Sequence, residues 1–484
     1  MLLTGMGNEV LSFLLFSIGV VVIYYIVPQS CRTTYLLVAN IIFYLCCDWK
    51  AFFILTMTIL GTWLCALEME KSQSKGWLIA GISSLVLLLA LFKYLELIKT
   101  AVNTLLDNVG MGSSSGVWNL IIPMGISYYL FKTISYLVDV YRGKYPAEKS
   151  ILKYALYVSF FPEILCGPIT RYNEFKDSME NGMNYSDENM QRGFYLVLKG
   201  VFMKVVIANR LSDYVTFVFS DPTAYTGIAL WMAAFFYAVW LYCDFAGYSS
   251  IAIGITQLFG LHYKENFKRP YFSKNIHQFW DRWHISLSDW LRDYIYFPLG
   301  GSRCSKLKCK LNVMIVFCVS GLWHGSKLTF LFWGIYHGLL NILLPQKKKT
   351  IQDEKEKTVG IKNKVCNGLA IAINFSLVTI GWIFFGADSI KTAIIFIKSM
   401  FVNFRISVSE IQNAILPFTF DNTCVAYFLV VMGFIFIFWL RELYEEKKNI
   451  EGMDIASVPW QTFLLVSIIL FGSFNASGFV YANF

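Results

Sequence analysis

Apolar segments long enough to cross a lipid bilayer follow one another along almost the whole sequence of 484 residues. Hydrophobic residues make up 56% of the chain and charged residues only 15%. A transmembrane β-barrel would instead show short strands of alternating polarity. The segments therefore predict an all-α polytopic membrane protein, with roughly 10–13 transmembrane or re-entrant helices.

The net charge of +9 comes largely from Lys and Arg in short loops between these segments. In a soluble protein such a charge would suggest nucleic acid, but basic loops of a membrane protein set the orientation of its helices. We therefore predict no nucleic-acid partner. The eleven cysteines lie mostly inside apolar segments and lack the spacing of metal or disulfide frameworks, so we predict neither.

Breaks between the apolar segments divide the chain into four parts. Residues 1–90 are predicted to form N-terminal transmembrane helices, and residues 91–345 a core with amphipathic and re-entrant helices. Residues 346–364 form a charged loop, which we expect in the cytosol because basic loops stay on that side. Residues 365–484 are predicted to form C-terminal transmembrane helices.

The stretch at residues 266–344 is the most informative, and its centre is Gly-Leu-Trp-His-Gly at residues 321–325. The apolar run before this centre, residues 311–323, would reach only about 20 Å as a helix and is predicted to be too short to span. The run after it, residues 328–344, is long enough either to cross or to turn back. Because basic residues flank both runs, we predict a broken or re-entrant hairpin with cytosolic ends and with His324 near its tip.

The cationic residues before the hairpin form what we name the basic collar. It consists of Arg303, Lys306, Lys308 and Lys310, and lysines at 347–349 follow the hairpin. A polar ring such as that of His324 is expensive inside a membrane, which makes it a candidate functional residue.

A second histidine lies in the segment before the hairpin, at residues 279–294. At about 100° per residue, the tryptophans, the leucines and His284 share one face, while the charged residues share the other. This pattern predicts an amphipathic helix at the cytosolic surface. Packing is the usual role of a histidine on an apolar face, but this helix leads into the hairpin, so both roles stay open for His284.

Two carboxylates also stand in apolar surroundings. Asp244 lies inside the long apolar segment at residues 228–259, so we expect it either to bond the adjacent hydroxyls or to face water. A structural bond between helices and a role in a site are equally open for it. Glu163 lies in the proline-rich residues 162–169, which predict a partly buried loop or half-helix lining a cavity. Pairing with a basic neighbour is the alternative to a direct role for Glu163.

Two kinds of chemistry fit these residues. A neutral imidazole in a dry channel is suited to take a proton from a hydroxyl that attacks a thioester. The basic collar, with Arg303, Lys306 and Lys308, would suit the phosphates of an acyl-carrying cofactor. Histidines and carboxylates in a helix bundle also form proton relays in transporters. The residues by themselves leave an acyltransferase and a transporter equally open.

Several segments, in the same order along the chain, resemble motifs of the membrane-bound O-acyltransferase superfamily, and within it the bacterial alginate O-acetylase-like branch. They are residues 122–128, 135–143, 161–162 with 167–169, 242–248, 266–271, 283–301 and 321–325, together with the ending 479–484.

The resemblance implies a multi-helix fold around a central funnel or tunnel in a bacterial cell membrane. It implies that His324 is the active-site histidine and His284 the second motif histidine. Candidate contacts to the donor are Trp323, Trp283, Arg303, Lys306 and Lys308, and candidate channel-lining residues are Asp244, Glu163 and Tyr242.

The family passes an acyl group from a cytosolic donor, acetyl-CoA in this branch, toward a polysaccharide hydroxyl outside the cell. An extracytoplasmic partner acetyltransferase is implied, and no permanently bound cofactor or metal. The alternatives are a D-alanyl transferase of teichoic acid modification and, in another class, a transporter or flippase for envelope precursors.

Overall fold

The computed structural model describes residues 9–108, 123–164, 166–182, 185–344, 361–419 and 423–474. Within these ranges all regular secondary structure is helical, which confirms the predicted fold class. Seven helices there are long and apolar enough to span a membrane, and three shorter apolar helices accompany them. The central funnel stays a prediction.

The chain divides into two compact units that are each discontinuous in sequence. The first contains Met1–Val201, Tyr248–Lys264 and Gly478–Phe484, and the second contains Phe202–Gly247 and Glu265–Ser477. The four-part division of the sequence at residues 90, 345 and 364 stays a prediction, and most of its charged loop lies outside the described residues.

The first unit is built from helices α1 to α9. They are α1 (Glu9–Ile26), α2 (Arg32–Cys47), α3 (Trp49–Ser72), α4 (Lys75–Asn108), α5 (Ile126–Tyr141), α6 (Ile151–Ser159), α7 (Phe161–Ile164), α8 (Tyr172–Gly182) and α9 (Asp187–Val201). The end of α11 (Gly227–Leu258) also belongs to this unit and packs on α9. Gly193 and Gly254 allow this contact, because a Cβ at Gly193 would lie 2.8 Å from the carbonyl oxygen of Gly254.

Helix α4 is longer than its sequence pattern suggested. The apolar run at residues 77–91, followed by Lys93, predicts a helix that ends at residues 92–94, but the helix continues to Asn108. That prediction was wrong because charged residues do not stop a helix, and no glycine or proline follows Lys93 before that point. Asp48 separates α2 from α3, because its side chain accepts a hydrogen bond from the backbone N–H of Lys50 at 2.8 Å and caps the start of α3.

The predicted half-helix is confirmed as α7. Its four residues are all buried, and the side-chain oxygen of Asn40 accepts the backbone N–H of Phe161 at 3.1 Å. Glu163 lies 2.7 Å from the ammonium group of Lys132, and both side chains are buried. The carboxylate therefore has the basic neighbour that was one of the two predicted alternatives.

The second unit contains the π-helices Phe202–Ala208 and Arg292–Tyr296, the first part of α11 and the remaining α-helices. They are α10 (Asn209–Ser220), α12 (Ile276–Trp280), α13 (Ile285–Leu291), α14 (Lys306–His324), α15 (Leu328–Leu343), α16 (Ile361–Gly386), α17 (Ile390–Val402), α18 (Val408–Ile415), α19 (Cys424–Lys448) and α20 (Val458–Phe471).

Helix α14 corrects the prediction that the run before His324 is too short to span. It begins at Lys306 and has 19 residues, so it meets the length and hydropathy of a membrane span. The side-chain oxygen of Ser305 accepts the backbone N–H of Lys308 and caps the helix. The first lysines of the basic collar therefore lie within the helix, and the apolar run alone underestimated its length.

The amphipathic helix predicted for residues 279–294 is broken in two. Helix α12 ends at Trp280, α13 begins at Ile285, and His284 between them adopts a left-handed conformation with φ of 44°. The backbone N–H of Ile285 donates to the carbonyl oxygen of Asn266 at 3.0 Å, which draws the chain out of the helix. A partner distant in sequence thus overrides the helical pattern.

Candidate active site

The predicted hairpin is formed by α14 and α15, which pack with almost no side-chain spacer between them. A Cβ at Gly321 would lie 2.4 Å from the carbonyl oxygen of Phe330, and a Cβ at Gly334 would lie 2.4 Å from that of Phe317. Glycine at both positions therefore allows the two backbones to touch. His324 is the last residue of α14, directly before the link to α15, so it lies at the predicted tip.

The imidazole of His324 is enclosed by aromatic rings. Its exposed fraction is 3%, and its centroid lies 4.7 Å from the ring of Trp323, 5.0 Å from Phe385 and 5.1 Å from Trp333. These rings come from α14, α15 and α16. Such an enclosure keeps bulk water away from a reacting group.

His284 is buried to a similar degree, with an exposed fraction of 2%. Its Nδ1 lies 3.3 Å from the side-chain oxygen of Asn266. The rings of Phe245 and Phe267 lie 4.7 Å and 6.2 Å from its centroid. Burial lowers the pKa of His284 to about 3, so this imidazole is neutral at physiological pH.

Trp323 joins the two predicted histidines into one cluster. Its indole ring lies 4.7 Å from His324 and 6.3 Å from His284, measured between ring centroids. Trp283, the other predicted tryptophan, is 2% exposed and packs against Phe267 and Trp382. The structure therefore brings both histidines and both tryptophans together, while their contact with a donor stays a prediction.

A cavity of about 280 Å³ lies beside this cluster. Val313, Phe317 and Ser320 line it, roughly three, two and one helical turns before His324 and therefore on the same face of α14. His324 itself is not among the lining residues. The remaining lining residues come from α12 and its C-cap, from α13, from the π-helix Arg292–Tyr296 and from the hairpin, and they are His277, Trp280, Asp281, Leu287, Ser288, Leu291, Arg292, Tyr296, Val316 and Asn341.

The basic collar is open to solvent. The side chains of Arg303, Lys306 and Lys308 are all exposed at the start of α14. Exposed cations suit an anionic ligand. They lie at one end of α14, and the buried His324 lies at the other end. Their predicted role in holding the donor's phosphates stays a prediction.

The predicted channel-lining residues of the second unit have structural partners. Asp244 is fully buried and forms an ion pair with Lys204 of the π-helix, so it does not face water as one alternative held. This pair is a bond between helices, which was one of the two roles left open for Asp244, and its channel-lining role stays a prediction. The hydroxyl of Tyr242 donates to a carboxylate oxygen of Glu442 at 2.6 Å.

Two residues of this region were missed by the sequence analysis. Asn266 belongs to a recognised motif but was given no role, although its side chain reaches His284. His337 on α15 is fully buried, and its ring lies 5.1 Å from those of Trp280 and Trp333. A histidine within an apolar run was the available signal for the latter.

Residues 146–377 match the membrane-bound O-acyltransferase (MBOAT) family. The chain is 33% identical to the probable alginate O-acetylase AlgI of Pseudomonas aeruginosa, over 90% of this chain and 81% of the relative. It is 32% identical to the peptidoglycan O-acetyltransferase of Helicobacter pylori, over 76% of this chain and 73% of the relative.

The name of a third relative describes transfer of a D-alanyl group and not of an acetyl group. The teichoic acid D-alanyltransferase of Bacillus subtilis is 31% identical, over 55% of this chain and 69% of the relative. The shared sequence covers most of the chain in the first two relatives, and the helices described above fit a multi-pass membrane protein. The chain therefore belongs to the membrane-bound O-acyltransferase family and is an O-acyltransferase.

Proposed function

We propose that this protein is an O-acetyltransferase of the bacterial cell membrane. It takes an acetyl group from cytosolic acetyl-CoA and passes it toward hydroxyls of an extracytoplasmic polysaccharide, through a partner acetyltransferase outside the membrane. The observation that carries the proposal is the cluster of two buried imidazoles, His324 and His284, that share the ring of Trp323.

The cluster suits acyl transfer from a thioester. A hydroxyl oxygen forms a bond to the carbonyl carbon of the acetyl group while the imidazole of His324 takes the hydroxyl proton. The carbon–sulfur bond then breaks, and the departing thiolate recovers this proton as a thiol. The surrounding rings exclude water, which would otherwise hydrolyse the thioester. No metal or bound cofactor is needed for this step.

The cavity and the basic collar support a long anionic donor. The cavity runs beside the face of α14 that carries His324, and its walls are mainly apolar with a few polar side chains such as Ser288 and Asn341, which suits a narrow, mostly uncharged arm. Lys306 and Lys308 are exposed at the start of the same helix and suit phosphate groups. Coenzyme A combines such an arm with such phosphates.

The relatives support acetyl over D-alanyl transfer. The proteins named as O-acetylase and O-acetyltransferase align with 90% and 76% of this chain, and the D-alanyltransferase aligns with 55%. The names of the first two also support a polysaccharide as the final acceptor.

The test uses the purified full-length chain in vesicles with acetyl-labelled acetyl-CoA. We expect release of free CoA and labelling of alginate or peptidoglycan oligosaccharides when the cognate partner is present, and neither with His324→Ala. Transfer only from a D-alanyl carrier protein would favour the teichoic acid enzyme. Passage of an envelope precursor without any acyl transfer would overturn the enzyme proposal in favour of a transporter.

A further inference from the structure

Three donors converge on one atom next to the candidate active site, the side-chain oxygen of Asn266. The backbone N–H of Ser286 reaches it at 3.1 Å, the hydroxyl of Ser286 at 2.9 Å, and Nδ1 of His284 at 3.3 Å. Asn266 is 1% exposed. Because a backbone N–H is always a donor, the atom that it meets must be the oxygen of the amide and not its nitrogen.

Because this atom is the amide oxygen, it determines which ring nitrogen of His284 carries the proton. An amide oxygen only accepts hydrogen bonds, so Nδ1 of His284 has to carry the proton. A neutral imidazole has one N–H, and its second nitrogen then bears a lone pair. Within the part of the chain that the structure describes, no hydrogen-bond partner reaches Nε2 of His284. The ring thus keeps one acceptor position open.

We propose that Asn266 is a positioning residue that fixes His284 in the Nδ1–H tautomer and leaves Nε2 as an acceptor for a substrate O–H or N–H group. This assignment rests on the proposed acyl transfer, in which His324 takes the proton of the attacking hydroxyl. His284 then orients the substrate through a second hydrogen bond. In this tautomer its Nε2 has no proton to give to the oxyanion.

Backbone hydrogen bonds fix the position of Asn266 relative to His284. The carbonyl oxygen of Asn266 accepts the backbone N–H of Ile285 at 3.0 Å, and the backbone N–H of Lys268 donates to the carbonyl oxygen of Arg282 at 2.9 Å. These two bonds clamp residues 266–268 against residues 282–285. The left-handed backbone of His284 is therefore supported on both sides, and its ring has a fixed direction.

Among the groups around His284, Asn266 is the one that determines which ring nitrogen carries the proton. Phe245 from α11, Phe267 from the loop and Trp323 from α14 face the ring, and these side chains do not titrate. The carboxylate next to Phe245 along α11, Asp244, is paired with Lys204.

The first measurement needs no substrate. The chain has five histidines, so labelling of histidine with nitrogen-15 gives a small set of imidazole signals in the NMR spectrum of the protein in vesicles. His284→Asn identifies the signals of His284, because asparagine tolerates the left-handed backbone. We expect a protonated Nδ1 and an unprotonated Nε2 in the wild type, and loss of this preference in Asn266→Ala.

The second measurement is kinetic and uses the vesicle assay with its partner. We expect Asn266→Ala to lower kcat about tenfold or more, as loss of a group that orients a histidine does, with KM for acetyl-CoA changed less than about twofold. Asn266→Asp keeps an oxygen opposite Nδ1 and should recover most of kcat at neutral pH. Its added carboxylate stabilises the doubly protonated ring, which should shift the acid limb of the pH profile to higher pH.

Asn40→Ala is the matched control. Asn40 is also a buried asparagine whose oxygen accepts a backbone N–H, from Phe161, but it belongs to the first unit. This variant should lower thermal stability without changing the ring signals of His284 or the pH profile. A purely structural role of Asn266 would make the two variants alike.

Several results would overturn the proposal. A wild-type spectrum with the proton on Nε2, or an Asn266→Ala spectrum identical to the wild type, would remove the tautomer assignment. An altered tautomer with unchanged kcat would remove the positioning role. Failure of the chain to transfer acetyl groups would instead contradict the proposed function, while the ring signals would still decide the tautomer.

Discussion

Two kinds of buried polar group can be compared in this molecule, those that form ion pairs and those that lie among aromatic rings. The lysine–carboxylate pairs, Lys132 with Glu163 in the first unit and Lys204 with Asp244 in the second, are buried with each charge opposite its partner. His284 and His324 are buried among aromatic rings, and Nε2 of His284 lacks a partner among the described residues. The paired charges connect helices, whereas the neutral ring of His284 keeps one hydrogen-bonding position open.

The largest effect is expected at the hairpin tip. His324→Ala should lower acetyl transfer by about 10³-fold, within the range for removal of a general base, and should leave the protein inserted and folded. The measurement is turnover in vesicles together with gel filtration of the purified variant. His262→Ala, at an exposed histidine of the first unit, is the control. Wild-type turnover by His324→Ala would contradict the comparison, in which the buried histidines serve the reaction and the lysine–carboxylate pairs serve the structure.

The next effect tests the other half of the comparison. Lys204→Met should lower the free energy of unfolding by about 3–5 kcal/mol, because it leaves the carboxylate of Asp244 buried without its cation. The double variant with Asp244→Leu should recover most of this loss, since it removes both charges. Chemical denaturation in detergent measures both values. Equal stability of the wild type and the single variant would show that this pair does not hold the helices.

His284→Asn is expected to lower turnover by about 10²-fold, as the loss of a group that orients a reacting substrate can. Asparagine fits the left-handed backbone of this position, so the loss should come from the ring and not from misfolding. Turnover at saturating acetyl-CoA and the thermal midpoint are to be measured together. A decrease smaller than about threefold would return His284 to a packing role.

The smallest effect is expected at the basic collar. Lys306→Glu combined with Lys308→Glu should raise KM for acetyl-CoA about fivefold, because exposed charges contribute little each and are screened by salt. The effect should shrink as ionic strength rises. Lys71→Glu with Lys75→Glu, both exposed in the first unit, changes the net charge equally and serves as control. Unchanged KM in the collar variant would remove this surface from donor binding.

The sequence allowed prediction of features that depend on neighbours along the chain. The position of His324 follows from two apolar runs separated by a glycine-containing break, and the buried Glu163 follows from prolines around it. Features that depend on distant partners were missed. The break before α13 depends on Asn266, which lies 18 residues before His284, and the partner of Asp244 lies 40 residues away.

The described contacts of α15 have a consequence for motion. On one side a Cβ at Gly334 would collide with the carbonyl oxygen of Phe317 on α14, and on the other a Cβ at Gly381 of α16 would lie 2.5 Å from Nε2 of His337. A helix seated this closely on two neighbours has little room to slide or rotate. If the acyl group reaches His324 as proposed, we expect displacement of the short 325–327 link, or of rings such as Phe385, to admit it, and not movement of α15.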